Sequence, residues 1–138
     1  MNQKKFVPGN WKLLVKRSST GLGLFAGQTI PKGACVIEYV GRVVSKEEAL
    51  TSKSKYLFEI SKNKTIDGKP KDNKAGYINH ACKPNCETDI HKGRVYILAL
   101  RIIKEGEQLT YDYGEEYVNE FIKPLGCKCE SCLKKTKN

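Results

Sequence analysis

The chain has 138 residues and is 39% hydrophobic, with 12 Gly and 5 Pro; this is the length and composition of one folded domain and excludes disorder throughout. No apolar run approaches the about 20 residues of a membrane span, and the polar start MNQKK has no export-type apolar stretch, so no membrane association and a reducing compartment are expected. A net charge of +10 favours anionic partners, non-specific nucleic-acid contact among them, but residues 105–120 hold Glu105, Glu107, Asp112, Glu115, Glu116 and Glu120 with no Lys or Arg, a patch suited to a cationic substrate.

In chain order, residues 1–10 read as a short lead-in. Runs at 12–17, 24–26, 35–40 (CVIEYV), 56–60 (YLFEI) and 94–101 (RVYILALR) have the length and the β-branched or aromatic content of strands. Gly21 and Gly23, in GLGLFA, allow a backbone to approach a ligand closely. As a dinucleotide fingerprint the segment lacks a third glycine and a following helix, and a tight hairpin turn is the simpler reading. Ser45-Lys46-Glu47-Glu48 fits a capping box, with Ser45 accepting from the Glu48 amide and the Glu48 side chain reaching back. The helix it starts is expected to run about two turns and fade by Ser52–Ser54. In 94–101, Val95, Ile97 and Ala99 point one way and Tyr96, Leu98 and Leu100 the other, so this strand is expected at the centre of its sheet. A second short helix is expected at 115–122. The fold class is mostly β with short helices.

Three later stretches carry chemistry. Asn79-His80-Ala81-Cys82-Lys83-Pro84-Asn85-Cys86 concentrates groups that are expensive to bury unless they bond or coordinate. It reads either as an exposed Asn/Pro turn or as a source of a metal ligand. Tyr111 and Tyr113, in GEQLTYDYG, are two apart and share one face of a strand; they either line a slot for an amine or form an ordinary aromatic cluster. Cys127, Cys129 and Cys132, in GCKCESC, are too close for disulfides with each other but can converge on zinc, with Cys82 as a fourth ligand. The cluster alone does not separate a structural site from a nucleic-acid-binding knuckle. Cys35 reads as a small core residue, and His91 as an exposed turn residue.

Together and in this order, GLGLFA, EYVG, YLFEI, NHACKPNC, GEQLTYDYG and the cysteine cluster resemble the SET-domain protein lysine methyltransferases, over about Trp11 to Cys132. The resemblance implies a SET-domain (β-clip) fold of small curved sheets with a pseudoknot core, in which NHACKPNC threads beneath a loop beside LTYDYG. It divides the chain into a lead-in at 1–10, a SET domain at 11–116 and a post-SET-like zinc-binding tail at 117–138. It implies S-adenosylmethionine (SAM) held by Thr20, Gly21, Leu22, Tyr56, Asn79, His80 and Lys128, with Asn79 and His80 reading the adenine. Tyr113 matches the catalytic tyrosine, Tyr111 the position that limits methyl count, and Tyr56 lines the channel. Cys82, Cys127, Cys129 and Cys132 match the zinc set.

Where the family has Arg, Phe and Ser, this chain has Gly76, Tyr77 and Ala81, which removes a guanidinium that would brace the junction. The insert between Gly41 and Tyr56 is short, so substrate grip is expected to draw on a partner, a second copy in a homodimer, or a simple substrate. The implied activity is methylation of lysine in a histone or histone-like basic protein, mainly mono- or dimethylation, in the nucleus or on chromatin of a eukaryote, or in the cytoplasm or a host for a bacterial or viral source. The alternatives are an inactive zinc-stabilised chromatin or nucleic-acid module, and a methyltransferase for a non-histone protein.

Overall fold

The structure, a computed structural model, describes residues 3–19, 21–54, 56–62, 64–69 and 73–114. The expected helix at 115–122 and the cysteine cluster lie outside the described residues. Four small sheets build the fold. β1 (Leu13–Ser18) and β2 (Gly21–Ala26) form an antiparallel hairpin, with Ser18 opposite Gly21 and Leu13 opposite Ala26. β3 (Cys35–Tyr39), β8 (Cys86–His91) and β9 (Arg94–Ala99) form a second sheet in the order β3-β9-β8. β4 (Arg42–Val44), β5 (Leu57–Ser61) and β6 (Lys64–Asp67) form a third in the order β4-β6-β5. The fourth pairs the two-residue strands β7 (Asn79–His80) and β10 (Thr110–Tyr111) in parallel.

The doubly apolar strand β9 is central, with all of Val95 to Ala99 buried. One face joins Val95, Ile97 and Ala99 to Leu24, Ile30, Ile78, Ile103, Leu109 and Tyr111 in the main core. Burying each Ile or Leu contributes about 1.5–3 kcal/mol. The other face puts Tyr96 and Leu98 against Cys35, with Phe6 packed over them. Phe6 belongs to a 3-10 turn at Gln3–Phe6. Farther along, the Gly9 amide and the Trp11 indole both donate to the Cys35 carbonyl at 3.0 Å. His91 is not the exposed turn residue that was expected. It ends β8 and stacks on Phe6, with ring centroids 4.1 Å apart.

β4, β6 and β8 were not anticipated. β6 and β8 are polar and are strand because a more apolar neighbour, β5 or β9, supplies a hydrogen-bond ladder, and the three-residue β4 pairs along the other edge of β6. The β8–β9 turn is Lys92-Gly93, both at positive φ (52° and 77°), as a tight two-residue hairpin requires.

The helix α1 (Lys46–Thr51) starts at Ser45, whose hydroxyl accepts from the Glu48 amide. The second half of the expected box is not made. The Glu48 carboxylate turns instead to the Arg42 guanidinium on β4, because a charged partner outcompetes a backbone amide. The helix buries no side chain, consistent with its early end at Thr51.

Candidate active site

Residues 79–86 and 108–113, far apart in sequence, meet along the β7–β10 pairing. Thr110 lies opposite Asn79, and Tyr111 opposite His80. The Ala81 amide extends the contact by donating to the Tyr111 carbonyl at 3.2 Å. Such parallel pairing needs the intervening β8–β9 excursion to return the chain in the same direction.

Asn85 locks the junction. Its side chain is buried, donates Nδ2–H to the Gln108 carbonyl at 2.8 Å and accepts the Thr110 amide on Oδ1 at 2.9 Å. Its own amide donates to Thr110 Oγ1 at 3.2 Å, and its carbonyl accepts from the Leu100 amide. Asn85 was quoted in the motif without a role. The available signal was its type: a buried Asn must have its polar atoms paired.

The two tyrosines share a face as expected, with ring centroids 4.9 Å apart. Tyr111 is buried in the main core, and Tyr113 is half-buried against it. The Tyr113 hydroxyl donates to the Ile78 carbonyl, immediately before β7. The Tyr113 amide donates to His80 Nδ1 at 3.2 Å, so that nitrogen is unprotonated and the neutral ring carries its proton on Nε2. Nε2 faces Cys82 Sγ at 3.6 Å. Asp112, 3.8 Å from Nδ1, accepts from the Gly114 amide at 2.8 Å instead.

Asn79 ties the junction to the β1–β2 hairpin. Its Nδ2 donates to Gln108 Oε1 at 2.8 Å, to the Leu22 carbonyl at 3.1 Å and to Ser18 Oγ at 3.2 Å. Gly21, at φ +114°, opens β2 rather than forming the turn itself. Gln108, absent from the expected site, is therefore part of it.

Tyr56 is held through its backbone. Its carbonyl accepts from the Tyr39 hydroxyl at 2.7 Å and the Gly68 amide at 2.8 Å, and its amide donates to Ser54 Oγ at 3.2 Å. No hydrogen bond among the described residues joins it to Asn79, His80, Tyr111 or Tyr113. Thr20, Lys128, Cys127, Cys129 and Cys132 lie outside the described residues. Of the thiols expected on zinc, Cys82 is described, and it is exposed at the rim of the junction.

The acidic run is less free than its sequence suggests. Glu107 receives two bonds from the Arg101 guanidinium, at 2.9 and 3.1 Å, and the Lys104 amide. The Arg101 hydrogen bond holds its carboxyl below the usual range. Glu105 and Asp112 are exposed, and Glu115, Glu116 and Glu120 lie outside the described residues. Two thiols serve no site. Burial pushes Cys35 up to about 11 and Cys86 up to about 12, so both stay protonated core groups.

Comparison with known proteins places this geometry. The SET domain family model matches residues 21–114, and the chain belongs to that family. Among curated relatives, it is 41% identical over 129 residues to Histone-lysine N-methyltransferase ASHH3 of Arabidopsis thaliana, covering 84% of this chain and 35% of that protein. It is 34% identical over 149 residues to Histone-lysine N-methyltransferase trr of Drosophila melanogaster (96% of this chain, 6% of that protein). It is 32% identical over 149 residues to Histone-lysine N-methyltransferase 2D of Homo sapiens (96% and 3%). The chain thus spans little more than a third of the plant relative and a few per cent of the animal ones. No helix among the described residues is long and apolar enough to cross a membrane.

Proposed function

We propose that this chain is a SAM-dependent protein lysine methyltransferase acting on a histone or histone-like basic protein. The observation that carries the reading is the β7–β10 junction, which gathers Asn79, His80, Tyr111 and Tyr113 from two distant stretches. The histone-lysine methyltransferases among its relatives support a histone substrate, and with it a place on chromatin.

When bound, SAM supplies a methyl group on a sulfonium. With SAM held beside Gly21, Leu22, Asn79 and His80, that methyl would be available to a neutral lysine nitrogen presented at Tyr111 and Tyr113, the amine giving up its proton to water. The attacking amine must be neutral. With a free pKa of about 10.4, only about one lysine in a thousand is neutral at pH 7, a cost of about 4–5 kcal/mol. Desolvation between aromatic rings and the nearby sulfonium charge both lower that cost.

Tyr113 aligns the amine. Its hydroxyl is fixed on the Ile78 carbonyl, so it holds a set direction at the substrate end with no reorganisation, the condition for a near-attack geometry at about 3–3.5 Å. Tyr111 narrows the same slot; a hydroxyl there bonds the amine or a water and favours mono- or dimethylation. In this reading Gly21, Leu22, Asn79, His80 and Tyr56 serve the cofactor, and the family resemblance adds Thr20 and Lys128, which lie outside the described residues.

Cys82 fits the zinc role as an exposed sulfur beside an imidazole N–H, the kind of outer partner that orients a ligand. With Cys127, Cys129 and Cys132 it would hold zinc through four thiolates, a closed site that organises the 117–138 tail rather than activating water.

Incubation with methyl-labelled SAM and a panel of core histones tests the reading. Label on histone lysine is expected; absence of label on every basic protein, while SAM binds, overturns it.

A further inference from the structure

Tyr56 stands at the end of the crossing from α1 to β5, and α1 does not anchor that crossing, because the helix buries no side chain. Serine hydroxyls order it instead. Ser52 Oγ accepts the Ser54 amide at 3.1 Å, and Ser54 Oγ accepts the Tyr56 amide at 3.2 Å. The Ser54 hydroxyl then donates its single proton to Asp67 Oδ1 at 2.8 Å. The β5–β6 ladder begins at Leu57, opposite Asp67, so the Ser54 bond lies beyond the sheet's own pairing.

Asp67 is itself closely held. It is half-buried at the end of β6, the central strand of its sheet, between Arg42 on β4 and Leu57 on β5. The chain passes so near that a Cβ at Gly41 would collide with the Asp67 carbonyl. The next residue takes Tyr56 from its other side: the Gly68 amide donates to the Tyr56 carbonyl at 2.8 Å. Gly68 is pinned in turn by Asn73, which donates to its carbonyl at 2.9 Å and accepts the Val40 amide at 3.1 Å. Asp67 and Gly68 thus hold the peptide groups on both sides of Tyr56, one through Ser54 and one directly.

We propose that Asp67 is a positioning residue: through the Ser54 hydroxyl it sets the Tyr56 backbone, and hence the direction in which the Tyr56 ring enters the lysine channel. This rests on the methyltransferase reading above. A carboxylate offers no hydrogen, so it fixes the direction of the Ser54 O–H and leaves the oxygen's lone pairs to the Tyr56 amide. A hydroxyl bond to a charged acceptor is also about twice as strong as one between neutral groups. Peptide groups are planar, so holding the two that flank Tyr56 leaves its Cα–Cβ bond one direction. Rate is sensitive to such placement, because a shift of about 1 Å in a group that orients substrate costs about 10²-fold.

The test combines steady-state methylation of core histones with hydrogen–deuterium exchange over residues 54–57. Asp67→Ala and Ser54→Ala are each expected to lower kcat about tenfold and to speed amide exchange in that segment. Because one link carries both effects, the double variant should lose no more than either single one. Asp67→Asn keeps an acceptor for Ser54 and should restore most of kcat and the slow exchange. Losses that multiply in the double variant, an unchanged kcat with only thermal stability reduced, or an Asp67→Asn variant as slow as Asp67→Ala each overturn the proposal, as does a fall in kcat with no change in exchange. If Asp67→Ala does not fold, Ser54 decides: Ser54→Thr, which keeps the hydroxyl, should retain the kcat that Ser54→Ala loses, and equal losses overturn the proposal. If the unaltered protein transfers no methyl group to any basic protein, the methyltransferase reading falls and this inference with it; transfer combined with any of the adverse outcomes above overturns this inference alone.

Discussion

Replacing Asn85 with Ala should loosen the whole junction, and the structure sets the size of the effect. The change removes the donor to the Gln108 carbonyl at 2.8 Å and the acceptor for the Thr110 amide at 2.9 Å. Asn85 is 4% exposed, so water does not readily take its place. Each orphaned partner costs about 1–3 kcal/mol, which gives about 2–5 kcal/mol for the pair after some relaxation. Against a typical domain stability of about 5–15 kcal/mol this is large. With a urea slope of about 1–3 kcal/mol per molar, the unfolding midpoint should fall by about 0.7–5 M.

The same bonds set the register of β10 against β7, so affinity for S-adenosylhomocysteine should fall as well, even under conditions where the variant remains folded. Urea unfolding followed by tryptophan fluorescence, which Trp11 reports, measures the first effect and calorimetry the second. A midpoint shift smaller than about 0.3 M would refute the reasoning, because it would mean that the Gln108 and Thr110 backbone groups find other partners at no cost.

Tyr113→Phe removes the hydroxyl that donates to the Ile78 carbonyl; kcat should fall about 10²–10³-fold with a stability loss of only about 0.5–1.5 kcal/mol, as steady-state kinetics and thermal melting would show. Tyr111→Phe should raise the methyl count per lysine; an unchanged product distribution in mass spectra would count against Tyr111 as the limiting group. Cys35 and Cys86, with thiols pushed up to about 11 and about 12, should resist iodoacetamide at pH 8 in the folded protein and react after unfolding, as peptide mapping would reveal. Glu107 has its carboxyl lowered by Arg101, so its contribution is present above the unfolded value of about 4.3 and is lost as pH falls through the lower folded value. The stability gap between the unaltered protein and Arg101→Gln should therefore close in acid; for a pair this exposed it is at most about 1 kcal/mol.

Legibility in the sequence followed local pattern. β9 was readable because RVYILALR is apolar on both faces, and such a run is stable only between two neighbours. The start of α1 was readable because Ser45 and Glu48 are three apart. The failures lie where a distant partner intervenes. Glu48 abandons the cap for Arg42, His91 leaves the turn for Phe6, and Lys64–Asp67 is a central strand despite its polar residues because β4 and β5 flank it.

By itself the sequence determined the chemical inventory: the paired tyrosines, the Asn-His-Cys run, the cysteine cluster and a mostly β chain. Those follow from residue type and from spacings of a few positions, which local geometry obeys whatever the rest of the molecule does. Only the tertiary structure decided what each polar group faces. Asn79 and Gln108 are 29 positions apart, Tyr113 and Ile78 35, and no periodicity spans such gaps. Their meeting depends on the core that β9 organises, which closes the intervening loop.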